Sequence, residues 1–112
     1  MRRPGTEAED RAADYLIGLG YTVITRRWKG RGGEIDLVCL DGDTMVFVEV
    51  KERRAGLDWA LTSLSPEKVQ RLFAAAETYI AQSDWSGATR FDAVLVGPRE
   101  IEHLPGGLTL SD

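Results

Sequence analysis

The stretch from Gly33 to Lys51, GEIDLVCLDGDTMVFVEVK, constrains the fold of this 112-residue chain more than any other segment. Ile35, Leu37, Val38, Leu40, Val46, Phe47, Val48 and Val50 are the apolar filling of two buried strands. Asp41-Gly42-Asp43 between them is a turn signal. Glu34, Asp36, Glu49 and Lys51 interrupt that filling. Burying a charge is costly unless it is paired or binds something.

Side chains alternate faces along a strand. Alternation puts Ile35, Leu37 and Cys39 on one face of the first strand, with Glu34, Asp36 and Val38 opposite. In the second strand Val46, Val48 and Val50 share a face, and Phe47, Glu49 and Lys51 share the other. The turn decides whether the two charged faces coincide. A two-residue loop at Asp41-Gly42 sets Asp36 diagonal to Glu49, with Glu34 directly opposite Glu49. A four-residue loop, Asp41 to Thr44, pairs Asp36 with Glu49 directly. Either loop leaves Asp36, Glu49 and Lys51 on one side, roughly 5–8 Å from neighbours across the pair. A regular three-residue loop separates them. An even-membered loop, or an odd one corrected by a bulge, is therefore expected.

The flanking elements complete an α-β-β-β-α-β order. Helix 1 is expected from Glu7 to Leu19, with Ala8, Ala12, Tyr15, Leu16 and Leu19 at helical spacing. Thr6 and Glu9 fit a capping box, and Gly20 supplies a left-handed stop. A strand follows over Tyr21–Arg27, and the glycines of WKGRGG turn the chain. The hairpin strands run Glu34–Leu40 and Thr44–Lys51. Glu52 to Leu64 has no clear period. Ser65-Pro66 reads as N-cap and first helical residue of helix 2, which runs to Ala81 with Val69, Leu72, Phe73, Ala76 and Ile80 on one face. Arg90–Val96, Ile101–Leu104 and Leu108–Leu110 read as strands. A helix between the third and fourth strands is a crossover, so those strands run parallel in a mixed sheet flanked by helices.

Composition bounds the class. Apolar residues are 43% and charged residues 29%, as in soluble globular proteins. That size and composition fit one domain with a single core. The one cysteine, Cys39, forms no internal disulfide, which points to a reducing, cytoplasmic setting and a buried thiol. No apolar run is long enough to span a membrane, and the N-terminus does not read as a secretory signal. The net charge of −4 argues mildly against nucleic acid. Its distribution argues the other way. Arg26, Arg27, Lys29, Arg31, Lys51, Arg53 and Arg54 lie beside the hairpin. Much of the acid lies elsewhere, at Glu7, Asp10, Asp14, Asp84, Glu100, Glu102 and Asp112.

Two facing carboxylates repel unless a proton or a cation lies between them. Their hard oxygens suit Mg²⁺ or Mn²⁺. Lys51, two residues from Glu49, is placed to orient or deprotonate a water or to steady a negative transition state. The hairpin has the parts for metal-assisted phosphodiester hydrolysis. The plainer alternative is a Lys51 salt bridge to one carboxylate, with the other acids solvated.

At these residues the sequence resembles the PD-(D/E)XK nuclease superfamily. The match is an aspartate in one core strand and Glu-x-Lys in the next, within the restriction-endonuclease-like α-β-β-β-α-β order. More narrowly it is similar to the small bacterial YraN family, related to archaeal Holliday-junction resolvases. The matching pieces are Gly5, Ala8-Glu9, Ala12 and Tyr15-Leu16, then GEIDLV, FVEVKER, Lys68, Arg71-Leu72 and RFDAV. LPGGLTL departs from the family's closing segment. The resemblance implies metal ligation by Asp36 and Glu49, with the Val50 carbonyl as a further ligand. It implies that Lys51 serves the attacking water and that Glu9 joins the site directly or through water, against a capping role. It gives Glu34 an auxiliary role and sets Lys68 near the scissile phosphate, against an ordinary surface position.

Arg31, Arg53 and Arg54 are candidate phosphate contacts. Trp28 and Trp59, in expected loops, either cap the core or stack on bases. Asp92 is expected to pair structurally with Arg90 or another base, and His103 has no assigned role. The function expected is a Mg²⁺- or Mn²⁺-dependent endonuclease on branched or structured DNA, with a homodimer expected by analogy. The alternatives are a non-catalytic nucleic-acid-binding module on the same fold, and an RNA endonuclease.

Overall fold

A computed structural model describes residues 6–52 and 65–109. Arg53, Arg54, Trp59, the Glu52–Leu64 connection beyond Glu52, and Leu110 lie outside the described residues. The elements are α1 (Thr6–Gly18), β1 (Thr22–Gly30), β2 (Gly33–Asp41), β3 (Thr44–Glu52), α2 (Pro66–Ser83), β4 (Thr89–Val96) and β5 (Ile101–Leu104). They form one five-stranded mixed sheet in the order β1-β2-β3-β4-β5. β3 and β4 run parallel across the α2 crossover, and the other pairs are antiparallel. No helix among the described residues is long and apolar enough to cross a membrane.

The hairpin loop is even-membered. Asp41 pairs with Thr44 and Leu37 with Val48. The two loop residues are thus Gly42 and Asp43, one position later than Asp41-Gly42. Gly42 has φ +60° and Asp43 does not share it, the pattern of a type II′ turn with glycine first. Pairing stops at Leu37–Val48, one step short of Asp36 and Glu49.

Each helix covers one face. Ala8, Ala12, Ala13 and Leu16 of α1 pack on Leu37, Cys39, Val46, Val48, Val94 and Val96. Alanines at this seam let the helix lie close to the sheet. Tyr15 and Leu19, expected on it, are 36% and 52% exposed. Val69, Leu72, Ala75 and Ala76 of α2 are buried, and Leu72 and the two alanines pack on Ile35, Val38, Met45 and Phe47. Phe73 stacks on Phe91 at 3.8 Å. Ser65 caps α2 through the Lys68 N–H at 3.2 Å, as its sequence suggests.

The glycine-rich turn is tighter than expected. β1 continues through Trp28 and Lys29 to Gly30, leaving Arg31 and Gly32 as the turn. Trp28 is therefore in a strand, edge-on to Tyr79 at 5.3 Å in the α2 cluster. The glycines admit α2 rather than forbid the strand. A Cβ on Gly33 would meet the Arg71 carbonyl oxygen at 2.9 Å. The expected strand at Leu108 is absent among the described residues. The Gly106 N–H is instead drawn to Asp92 Oδ1 at 2.8 Å.

Asp92 is fully buried yet well satisfied. Arg90 grips both of its oxygens at 2.8 and 2.9 Å, and His103 Nε2 lies 2.8 Å from Oδ2. Arg90 also donates to Asp41 and Tyr21. The expected Arg90–Asp92 pairing is present, and His103 joins it. This network ties β5 and the turn after it to β4, to the end of β2 and to Tyr21 just before β1. Burial alone would raise the Asp92 pKa, but the bonds from Arg90, Gly106 and His103 hold it below the usual aspartate value.

A depressed folded-state pKa contributes stability above the unfolded value and loses it as pH falls through the folded one. Asp92→Ala should cost about 3–5 kcal/mol by denaturant unfolding at neutral pH, because it leaves Arg90 and His103 without their buried partner. The gap between wild type and Asp92→Asn should narrow as pH falls below the ordinary aspartate range. A constant gap would remove the carboxylate charge from the account.

Candidate metal and phosphate site

The site begins where two strands part. β2–β3 pairing ends at Leu37–Val48, whereas β3–β4 pairing runs on to Glu52–Val96. β2 and β3 therefore fork beyond Leu37. The Asp36 carboxylate enters the fork, and its Oδ2 accepts the Val50 N–H at 2.8 Å. A side chain here replaces the missing backbone acceptor.

Strict alternation fails at the same step. Arg26 pairs with Asp10 of α1, and Leu37, its partner across the ladder, packs under α1. Trp28 and Ile35, the next pair along the ladder, pack under α2. Ile35 and Leu37 thus do not share a face as alternation predicts. Both strands change face together at Arg27 and Asp36. Arg27 has φ +53° in the interior of β1, a left-handed conformation that costs a non-glycine residue roughly 1–2 kcal/mol.

A cleft of about 560 Å³ opens at this fork. Ala8 and Glu9 of α1, Glu34 and Asp36 of β2, Glu49 to Glu52 of β3, and Lys68 and Arg71 of α2 line it. Lys51 and Lys68 thus stand at the same cleft as both carboxylates. Glu9 belongs to it too, with its carboxylate 3.4 Å from the Arg27 guanidinium. Arg31 does not line it. It sits at the β1–β2 turn, where its carbonyl accepts from the Thr78 hydroxyl at 3.3 Å. Arg71 and Arg27 gained no role from the sequence. Arg71 was legible as the residue one turn beyond Lys68 on the same helix face. Arg27 was not, because nothing local marks a left-handed arginine.

The electrostatics are those of acids pressed together. Burial raises the Asp36 pKa, while the Val50 N–H opposes the rise. Burial and then the charge of Asp36 push Glu49 up to about 8, against the pull of Lys68 and Lys51. The two carboxyls are raised together, as expected of neighbouring acids that share one proton. Glu9 is also raised, by burial first and Asp36 second, with Arg27 opposing. The pair thus holds a proton where a cation would serve the same end.

Among the described residues no three His, Cys, Asp or Glu side chains converge as a ligand set. Two carboxylates and one backbone carbonyl remain compatible with Mg²⁺, which commonly keeps waters and takes substrate phosphate oxygens as further ligands. Such a donor set fits the hard cations, and Lys68 and Arg71 bring phosphate-binding charge to its edge.

The profile of a family described as Uncharacterised protein family UPF0102 matches residues 8–96. A UPF0102 protein of Nitratidesulfovibrio vulgaris (strain DP4) is 40% identical across 96% of this chain and 85% of its own length. One from Rhodopseudomonas palustris (strain HaA2) is 44% identical across 96% of this chain and 85% of its own length. Another, from Pseudomonas putida (strain GB-1), is 44% identical across 82% of this chain and 77% of its own.

A raised folded-state pKa means that the folded protein holds a proton the unfolded chain has released. That contribution is whole below the ordinary glutamate value of 4.5 and is lost as pH rises through about 8. Metal-free protein should therefore lose thermal stability from about pH 5 to about pH 8, by a few kcal/mol at about 1.4 kcal/mol per unit. Glu49→Gln should flatten that slope, and Mg²⁺ should recover stability at the alkaline end of the wild-type profile. Parallel wild-type and Glu49→Gln profiles would refute the assignment.

Proposed function

This chain belongs to the uncharacterised protein family UPF0102, and from its site geometry we propose that it is a metal-dependent endonuclease hydrolysing phosphodiesters in branched or otherwise structured DNA. One observation carries the reading. A half-buried Asp36–Glu49 pair, with Asp36 held by the Val50 N–H, sits in a sheet fork whose cleft also holds Lys51 and Lys68.

Asp36, Glu49 and the Val50 carbonyl would hold Mg²⁺ or Mn²⁺. Bound there, the cation would supply Lewis-acid polarisation of a phosphoryl oxygen and a more acidic water. The Val50 N–H fixes the rotamer of Asp36 before any substrate arrives. Lys51 orients the attacking water or takes its proton, and steadies negative charge on the phosphoryl group. Lys68 and Arg71, from the first turns of α2, hold phosphate oxygens beside the scissile bond. Glu9 acts through water, and Glu34 shapes the acidic rim. Arg31, at the β1–β2 turn, supplies a further phosphate contact, and Arg53 and Arg54 are assigned phosphate contacts from the sequence alone. Cytoplasmic residence belongs to this reading, and so does a homodimer, since a junction presents two related strands.

The test is cleavage of labelled junction, flap, duplex and RNA substrates with Mg²⁺ or Mn²⁺, beside binding measured in chelator at several salt concentrations. Asp36→Asn, Glu49→Gln and Lys51→Ala should each lower cleavage about 100-fold or more while leaving affinity within a few-fold. Arg53→Ala with Arg54→Ala should weaken binding across sequences and lower the salt slope by roughly 1 for each phosphate no longer held. Binding without cleavage by wild type, unaffected by Asp36→Asn, would identify a binding module instead. Cleavage of RNA alone would move the substrate class. Neither binding nor cleavage would end the nucleic-acid reading.

A further inference from the structure

Two features of Arg27 play no part in the cleavage chemistry. The first is its backbone, left-handed with φ +53° inside a strand whose register holds on both sides, at Arg26–Leu37 and Trp28–Ile35. Among the described residues the other non-glycine residue with positive φ is Asp84, which caps the end of α2. A helix end accounts for Asp84. Arg27 has no helix end beside it. Its place in the register falls across from Asp36, at the step where both strands change face.

The second feature is its guanidinium. It lies 3.4 Å from the Glu9 carboxylate, with the two side chains 28% and 13% exposed. Glu9 lines the same cleft as Asp36 and Glu49. Yet no third carboxylate converges with that pair among the described residues.

We propose that Arg27 is a positioning residue. Its left-handed backbone turns β1 and β2 together so that Asp36 enters the fork, and its guanidinium keeps Glu9 beside the Asp36–Glu49 pair rather than on it. The first half concerns the metal-free fold alone. The second half rests on the metal-site reading above. A strand that kept strict alternation through Arg27 would carry Asp36 on the face opposite Leu37 and away from the Val50 N–H. The backbone conformation is thus the device, and the arginine side chain is an addition to it. Glycine and asparagine enter the left-handed region readily, whereas a β-branched residue does so rarely.

The experiment separates backbone from side chain with Arg27→Gly, Arg27→Asn, Arg27→Ala and Arg27→Val. Hydrogen exchange of the Val50 amide, read by NMR without metal, reports the bond to Asp36. Arg27→Gly and Arg27→Asn should keep wild-type protection, and Arg27→Val should lose it at least tenfold while Leu37 and Val48 stay protected. Should Arg27→Val fail to fold, Arg27→Gly must still melt at or above Arg27→Ala, and the reverse order overturns the backbone role. Retained Val50 protection in a folded Arg27→Val overturns it as well.

Mn²⁺ titration reads the second half. Arg27→Gly should tighten Mn²⁺ several-fold over wild type, and the same substitution made in a Glu9→Gln background should give no such gain over Glu9→Gln. A gain of equal size in both backgrounds, or none in wild type, overturns the restraint on Glu9. Wild type that binds no Mn²⁺ at all would sink the metal-site reading and the restraint together, and the Val50 amide would still decide the backbone role.

Discussion

The hydrogen bond from the Val50 N–H to the Asp36 carboxylate joins the fold to the site. β2 and β3 pair as an ordinary antiparallel ladder up to Leu37 and Val48, and then stop. β3 continues with β4 as its neighbour, so it cannot follow β2 outward. Two strands that part inside a sheet leave backbone groups without partners, and buried backbone groups must be satisfied. The Asp36 side chain satisfies one of them and is fixed by doing so. The cleft is therefore not an addition to the surface. It is the space that the strand fork opens, roofed on one face by the start of α1 and on the other by the start of α2.

Two acidic centres in this molecule, one fully buried and one half-buried, are treated in opposite ways. Asp92 receives a two-pronged arginine, a histidine and a backbone N–H, and it stays ionised. Asp36 receives one backbone N–H and a second carboxyl, so a proton must stay with the pair. Nothing is left for a ligand to do at Asp92, where every oxygen already has a donor. At Asp36 and Glu49 a cation would replace the shared proton and remove the repulsion. The contrast is one of donor supply, because both centres stand on strands of the same sheet. α1 spans the two centres, with Glu9 at the cleft and Tyr15 edge-on to His103.

By itself the sequence determined the order of elements, the mixed sheet and the parity of the hairpin. Apolar runs, the Asp41-Gly42-Asp43 turn and the Ser65-Pro66 start are local signals, and local chemistry decides them. Parity set the faces of the two strands as far as the ladder runs, to Leu37–Val48, since a shift of one residue would have reversed every side chain. Tertiary structure decided the rest. α2 crossing Gly33 turned a loop-like glycine run into a strand end, and α1 took Ala13 in place of Leu19 because close approach favoured the smaller side chain. The change of face at Arg27 and Asp36 could not be read from alternation, because it is the two helices on opposite faces that make it favourable. Glu9, Lys68 and Arg71 reach one cleft only because both helices begin at the same end of the sheet, a matter of packing between segments far apart in the chain.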